Sequence, residues 1–170
     1  MRAASCLLAA LLLSACGPDP SQPASPPAAA PATTPDPNGW AFAIGKNSVE
    51  MAWMTETMPG RSPLRLVCAR NDGFMVEAAT LTPVASEERL SIGAGDTVVA
   101  LVAVAGQGAH GPRIRATGPV DEGLLTALTA GGPISISYGA QTYGPLAVAA
   151  PAIRRAFAET CRKLNAGTPV

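Results

Sequence analysis

Short apolar runs separated by turn residues fill the chain from Trp40 to about Asn165. Asn71-Asp72-Gly73 divides two such runs and is a strong hairpin signal, because Asn and Gly accept the positive φ angles that a tight turn needs. Gly45-Lys46-Asn47 and Gly93-Ala94-Gly95-Asp96 divide the chain in the same way. Apolar runs this short, interrupted this often, predict antiparallel strands for most of the chain.

Two segments carry helical signals. Asp121 can cap a helix over Glu122–Ala130 that ends at Gly131. Pro151 suits the first turn of a second helix, which Gly167 ends. Apolar and small side chains recur along this second helix at spacings of three and four, and form one stripe. The stripe consists of Ile153, Ala156, Phe157, Thr160, Cys161 and Leu164. We expect the charged residues of this helix to line its opposite, solvated side.

The elements together predict a β-rich α+β domain over residues 40–165, a length of about 125 residues that suffices for one core. We expect a sandwich or half-open barrel of about eight short strands, with one short helix and a C-terminal amphipathic helix packed on the sheet. Residues 16–39 hold eight prolines and no large apolar side chain before Trp40, so we expect a disordered linker there. Residues 166–170 are expected to form a disordered tail.

The N-terminus has the order of a secretory signal. Met1-Arg2 is basic, the run from Ala3 to Leu13 is apolar, and small residues follow, so residues 1–15 are predicted to be a signal peptide. The apolar run is too short to span a bilayer. Leu13-Ser14-Ala15-Cys16 resembles the lipobox of bacterial lipoproteins.

This resemblance implies that Cys16 is diacylated on its sulfur and becomes the acylated N-terminus after cleavage. Two acyl chains already anchor a protein stably to a membrane. Gly17 follows the cysteine, whereas an Asp there commonly retains lipoproteins in the inner membrane. The resemblance therefore favours attachment to the periplasmic face of the outer membrane.

Of the four cysteines, Cys6 is removed with the predicted signal peptide and Cys16 is lipidated, which leaves two. Cys161 lies on the apolar stripe of the second predicted helix, and Cys68 shares a strand face with Leu64 and Leu66, because side chains alternate along a strand. Both are therefore expected in the core. An exported protein is exposed to an oxidising compartment, so we expect a Cys68–Cys161 disulfide, with two buried free thiols as the alternative.

The sequence carries no recognisable catalytic motif. Gly106-Gln107-Gly108-Ala109-His110-Gly111 matches the G-x-G-x-x-G dinucleotide pattern, but the third glycine must open a helix, and here a strand-like run from Pro112 to Thr117 follows. We interpret the segment as a hairpin loop and expect no nucleotide. His110 is the only histidine, which leaves too few ligands for a metal site. We expect no cofactor and no catalytic residue.

The charge balance and the methionine content of the sequence indicate which kinds of partner to expect. The chain has 12 basic and 12 acidic residues without a basic stripe, so we expect no nucleic-acid partner. Trp53, Met54 and Met58 lie in a methionine-rich stretch, and methionines recur at adaptable binding surfaces. Core packing of this stretch is the first interpretation, and a contact surface formed by these three residues is the alternative.

The C-terminal part shows a second resemblance. Leu124-Leu125-Thr126-Ala127-Leu128-Thr129-Ala130-Gly131, the run Ile134-Ser135-Ile136-Ser137-Tyr138, a further strand, and Ile153 to Cys161 around Phe157 follow in that order. The order resembles the C-terminal half of small exported proteins of the invasion-associated locus B type. That resemblance implies a periplasmic, mostly β protein and assigns no site residue.

These observations lead to one functional expectation. We expect a membrane-anchored, non-catalytic binding or accessory module of the cell envelope, whose partner is an envelope protein or a glycan. Two alternatives remain open: an inhibitor of an envelope-directed enzyme such as lysozyme, and a small hydrolase whose residues converge only in the fold.

Overall fold

A computed structural model describes residues 39–58, 60–108 and 111–168. The predicted signal peptide 1–15, the lipidation site Cys16, nearly all of the linker 16–39, and His110 lie outside these residues. The strands are β1 (Gly39–Ile44), β2 (Ser48–Met54), β3 (Leu64–Ala69), β4 (Gly73–Ala78), β5 (Arg89–Ala94), β6 (Thr97–Gly108), β7 (Gly111–Gly118), β8 (Ile134–Tyr138) and β9 (Gln141–Leu146). The helices are α1 (Glu122–Ala130) and α2 (Pro151–Asn165).

The nine strands form one antiparallel sheet in the order β1-β2-β3-β4-β7-β6-β5-β8-β9, curved into a half-barrel. The predicted β-rich α+β fold with a C-terminal helix is therefore confirmed in its half-open barrel form. The sandwich alternative is wrong, because every strand hydrogen-bonds into this single sheet. The described residues form nine strands where about eight were expected.

Turn chemistry places the hairpins where the sequence predicted them. Asn71 and Gly73 adopt φ angles of 72° and 70° between β3 and β4. A Cβ atom at Gly73 would lie 2.5 Å from the carbonyl oxygen of Gly118 on β7, so the close approach of these strands also requires glycine there. The glycine-rich segment is a hairpin as well, since Gly108 on β6 pairs with Gly111 on β7.

Both helices have the predicted ends. Asp121 accepts a hydrogen bond from the Leu124 amide at 2.7 Å and caps α1, and Gly131 ends it with a φ of 97°. Pro151 opens α2. The charged residues of α2 were expected on its solvated side, but Arg154 does not lie there. Its guanidinium donates to Leu128 O and Thr129 O and so satisfies carbonyls at the C-terminus of α1.

One hydrophobic cluster lies between the sheet and the helices. Helix α1 packs on β5 and β6, and α2 packs on β2 and β3. Among the fully buried side chains, Phe157 comes from α2 and Leu125 from α1, and both belong to the same cluster as Leu66 and Ile92 of the sheet. Burial of this one sheet face is the main driving force for the fold.

The predicted disulfide joins α2 to the sheet. Cys68 on β3 and Cys161 on α2 are bonded, with Cα atoms 5.4 Å apart and both residues buried. The bond spans 93 residues of sequence, so it restricts most of the domain in the unfolded state.

Two tryptophans connect the ends of the sheet. Trp40 on the edge strand β1 donates from Nε1 to Ala147 O at 2.7 Å, immediately after the opposite edge strand β9. Trp53 on β2 contacts Trp40 edge-to-face with centroids 5.5 Å apart, and it lies beside the Tyr143 side chain of β9. These contacts bring the first and last strands of the half-barrel together.

Removal of the disulfide tests its contribution. We expect the double variant Cys68→Ala, Cys161→Ala to lose about 4–5 kcal/mol of unfolding free energy, because a closed loop of this length removes much unfolded-state entropy. Urea unfolding followed by tryptophan fluorescence measures this loss. A loss below about 1 kcal/mol would show that core packing alone holds α2 in place.

Candidate functional site

The sheet face turned away from the helices is not covered by any described element. We call it the open face; side-chain alternation assigns to it the strand residues between the core positions. It carries, among others, Glu50, Arg65, Val67, Glu77, Val98, Val102, Val104, Arg113 and Arg115. Val67 and Glu77 are buried within this face, whereas the three valines of β6 and Arg115 are exposed and available to a partner.

A buried carboxylate organises the charged half of the open face. Glu77 on β4 pairs in register with Arg65 on β3 and with Arg115 on β7. Its Oε2 accepts hydrogen bonds from Arg65 Nη1 at 2.9 Å and Arg113 Nη1 at 3.3 Å, while Oε1 accepts from Arg115 Nη2 at 2.7 Å. Arg65 also pairs with Glu50 on β2. Two strands, β3 and β7, thus direct three guanidinium groups at one carboxylate.

The charge of Glu77 is stabilised by these arginines. Its side chain is only 5% exposed, and burial alone would raise its pKa. The hydrogen bond from Arg115 and the positive charges of Arg65, Arg115 and Arg113 outweigh burial, so the pKa lies below its usual value. Glu77 is therefore ionised at neutral pH and neutralises part of the arginine charge around it.

A cleft of about 330 Å³ opens beside this network, between β2, β3, β4 and the loop that follows β2. Its lining includes Ala52, Met54, Arg61, Arg65, Glu77 and Arg113. Arg61 donates from Nη2 to Ala79 O at 3.4 Å and forms no ion pair with any residue that the structure describes. The Nε atoms of Arg61 and Arg113 are buried without a hydrogen-bond partner in the described part of the chain.

Gly108 makes room for Arg113. The guanidinium of Arg113 lies against the Cα atom of Gly108, so closely that a Cβ atom there would overlap it. Gly106, two residues earlier on the same strand face, has no atom within 4 Å of an added Cβ. A side chain at position 108 would therefore displace the Arg113 guanidinium from its present position.

An exposed aliphatic row adjoins the arginines on β6. Val98, Val102 and Val104 are 68%, 65% and 64% exposed and all point to the open face. We call these three residues the valine row. Val104 pairs with Arg115, and Val102 pairs with Thr117, so the row borders the charged half directly. Three valines this exposed on one strand contribute a contiguous apolar patch to the surface.

The predicted site residues occupy different places. Trp53 and Met54 are neighbours on β2 and therefore face opposite sides of the sheet: Trp53 packs against the core, and Met54 lines the cleft. Met58 is half-buried in the loop after β2. Met54 therefore lies on the open face, and Trp53 does not share that face with it.

The structure adds two findings about ligands and spans. Among residues 39–58, 60–108 and 111–168, no group of three or more His, Cys, Asp or Glu side chains is placed to hold a metal ion. No described helix has the length and apolar character needed to cross a membrane.

Sequence reasoning missed the Glu77 network. The available signal was a charged residue within an apolar strand, as Glu77 between Val76 and Ala78. Its partners Arg113 and Arg115 lie 36 and 38 residues away, on a strand that is not adjacent in the chain. The pairing of β4 with β7, which brings them together, carries no local turn signal.

Comparisons with protein-family models, with curated proteins and with solved structures found no match. The sequence features and the geometry described above are therefore the basis for a function.

Replacement of Glu77 tests the network. We expect Glu77→Gln to lower the unfolding free energy at pH 7 by about 2–3 kcal/mol, because three arginines lose their shared counter-ion while keeping some access to solvent. Since the folded pKa is lowered, this contribution is present above a pH of about 4.3 and is lost as pH falls through the folded pKa. Urea unfolding between about pH 7 and pH 3 should show the two proteins converging in acid.

Glu122→Gln is the matched control, because Glu122 pairs with Arg162 on the exposed surface. This variant should change the unfolding free energy little, since solvent screens exposed ion pairs. An equal effect of the two substitutions at pH 7 would contradict the special role of the buried carboxylate.

Proposed function

We propose that this chain is a lipid-anchored, non-catalytic binding module of the bacterial cell envelope, which contacts an envelope protein through the open face. The valine row carries the proposal: it is an apolar surface that the chain's own described elements leave exposed. Exposed apolar patches bordered by polar residues are typical of interaction sites. Attachment at Cys16 would hold this face in the periplasm, with the outer membrane favoured by Gly17.

The aromatic residues support a protein partner over a glycan. All seven aromatic side chains are described, and each is buried or half-buried. The apolar part of the open face is therefore aliphatic, and aliphatic side chains bind by close packing without directional contacts. Such a surface suits the aliphatic side chains of another protein.

The chemistry of the cleft supports binding. Its carboxylates, Glu50 and Glu77, both accept hydrogen bonds from arginines. The Ser62 Oγ lies 2.9 and 2.6 Å from the main-chain oxygens of Trp53 and Leu64, so its single proton is shared between these two acceptors. A nucleophile needs a base within hydrogen-bonding reach, and the cleft uses these groups for other contacts. These contacts favour the binding hypothesis over the hydrolase alternative.

The order of elements supports an envelope role more loosely. Helix α1, the β8–β9 hairpin and α2 follow each other as in the resemblance to the invasion-associated locus B type. Membership of that family stays a proposal, and no site residue is taken from it.

The anchor has a direct test. Intact-mass analysis of the native protein from a membrane fraction should give a chain that begins at Cys16 and carries acyl groups. Cys16→Ser should yield an unprocessed precursor without acyl groups. An unacylated, water-soluble wild-type product would contradict the anchor.

The contact face has a separate test. A photo-cross-linking amino acid at Val102 in intact cells should capture one discrete envelope protein. The same residue at Arg155, exposed on α2 away from the open face, is the control and should not capture it. Equal capture at both positions, or adducts with lipid alone, would contradict a protein contact at the open face. Capture of a peptidoglycan hydrolase would favour the inhibitor alternative.

A further inference from the structure

The cleft has more positive charge than its own carboxylates neutralise. Arg61, Arg65 and Arg113 line it, together with Glu50 and Glu77. Arg115 also donates to Glu77 from the edge of the network. Four arginines thus share two carboxylates, which leaves an excess of two positive charges in a chain whose basic and acidic residues balance overall.

The excess charge comes with unused hydrogen-bond donors. Arg61 forms no ion pair with a described residue, and its Nε is buried without a partner. Arg113 makes a single long contact with Glu77 at 3.3 Å, and its Nε is also without a partner among the described residues. These Nε atoms are buried, as is that of Arg70 elsewhere, so the donors that a ligand in the cleft can reach are the Nη groups of Arg61 and Arg113. The described residues give these Nη groups one contact on each arginine, which leaves donors free for a ligand.

We infer that this cleft binds a small organic oxyanion, whose phosphate or carboxylate group is held by Arg61 and Arg113. Guanidinium groups match both oxyanions through paired N–H donors. The volume of about 330 Å³ lies at the lower end of the range for ligand pockets, and it exceeds the space that a bare anion needs. Ala41, Ala52 and Met54 supply apolar lining for a short carbon skeleton.

Glu77 does not oppose such a ligand. Its charge is already shared among three arginines, and its two oxygens both accept hydrogen bonds. Its role is to hold Arg65 and Arg113 in place at the cleft, so that the donors of Arg113 are preorganised for the ligand. Arg61, which lacks a described counter-ion, supplies the charge that the ligand neutralises.

This inference names the ligand class of the binding module proposed above, and its test does not depend on the anchor. The purified full chain is titrated calorimetrically with sn-glycerol 3-phosphate and, separately, with succinate. One molecule of at least one probe should bind per chain, with affinity that falls as salt rises. Binding of only one probe identifies the oxyanion group.

Arginine variants then locate the binding. Arg61→Ala should weaken binding at least tenfold, the change expected for losing one charge-assisted contact. Its fold should survive, since Arg61 forms no ion pair with a described residue. Arg155→Ala removes an equal charge from the exposed surface of α2 and should leave the affinity unchanged.

Two glycine variants test whether binding depends on the position of the Arg113 guanidinium, because neither variant changes a charged residue. Gly108→Ala pushes the Arg113 guanidinium aside and should weaken binding severalfold without removing a charged group. Gly106→Ala, which meets open space on the same strand, should bind as the wild type does.

Two results would overturn the inference. One is the absence of binding by both probes at about 10 mM, well above a millimolar Kd. The other is equal binding by the Arg61→Ala and Arg155→Ala variants. Neither result bears on lipidation at Cys16 or on the cross-linking at Val102, so failure of this inference is distinguishable from failure of the proposed function.

Discussion

Burial of one face of a single sheet beneath two helices is the constraint on which this structure depends. The core cluster takes its side chains from alternate strand positions and from the apolar sides of α1 and α2. The Cys68–Cys161 bond fixes α2 on β3, and Arg154 joins α2 to the end of α1. Because both helices pack on this face, the opposite face has no covering element among the described residues and remains accessible.

Ion pairs fix the positions of the charged side chains on the open face. Desolvation of Glu77 is costly, and ion pairing offsets that cost only where the geometry satisfies both carboxylate oxygens. Arginine suits this arrangement better than lysine, because its rigid fork can donate to two acceptors at once, as Arg65 does to Glu50 and Glu77. The network joins β2, β3, β4 and β7, so correct strand register is a condition for it. A shift of β7 by one residue would turn Arg113 and Arg115 toward the core.

Local sequence signals were sufficient for much of the fold. The turn at Asn71-Asp72-Gly73, the cap at Asp121 and the stripe around Phe157 each depend on a few neighbouring residues, and the structure confirms them. The disulfide was also predictable, because two independent periodicities pointed Cys68 and Cys161 inward. The pairings of β4 with β7 and of β5 with β8 were not, since each joins strands far apart in sequence. The single-sheet topology and the Glu77 network both follow from these long-range pairings.

The glycine-rich hairpin matches a nucleotide-binding motif in sequence, but the structure gives it a different role. Its pattern matches a nucleotide-binding fingerprint, yet its third glycine, Gly111, begins a strand. In the structure, Gly106 and Gly108 lie on the open face beside Arg113, where side chains would crowd the arginine or extend the valine row toward the cleft. The absence of a side chain at Gly108 lets the Arg113 guanidinium approach β6 closely while it contacts Glu77, whereas a Cβ atom at Gly106 would meet open space. Spacing alone therefore suggested phosphate binding by a helix, whereas the geometry gives Gly108 a role in positioning Arg113.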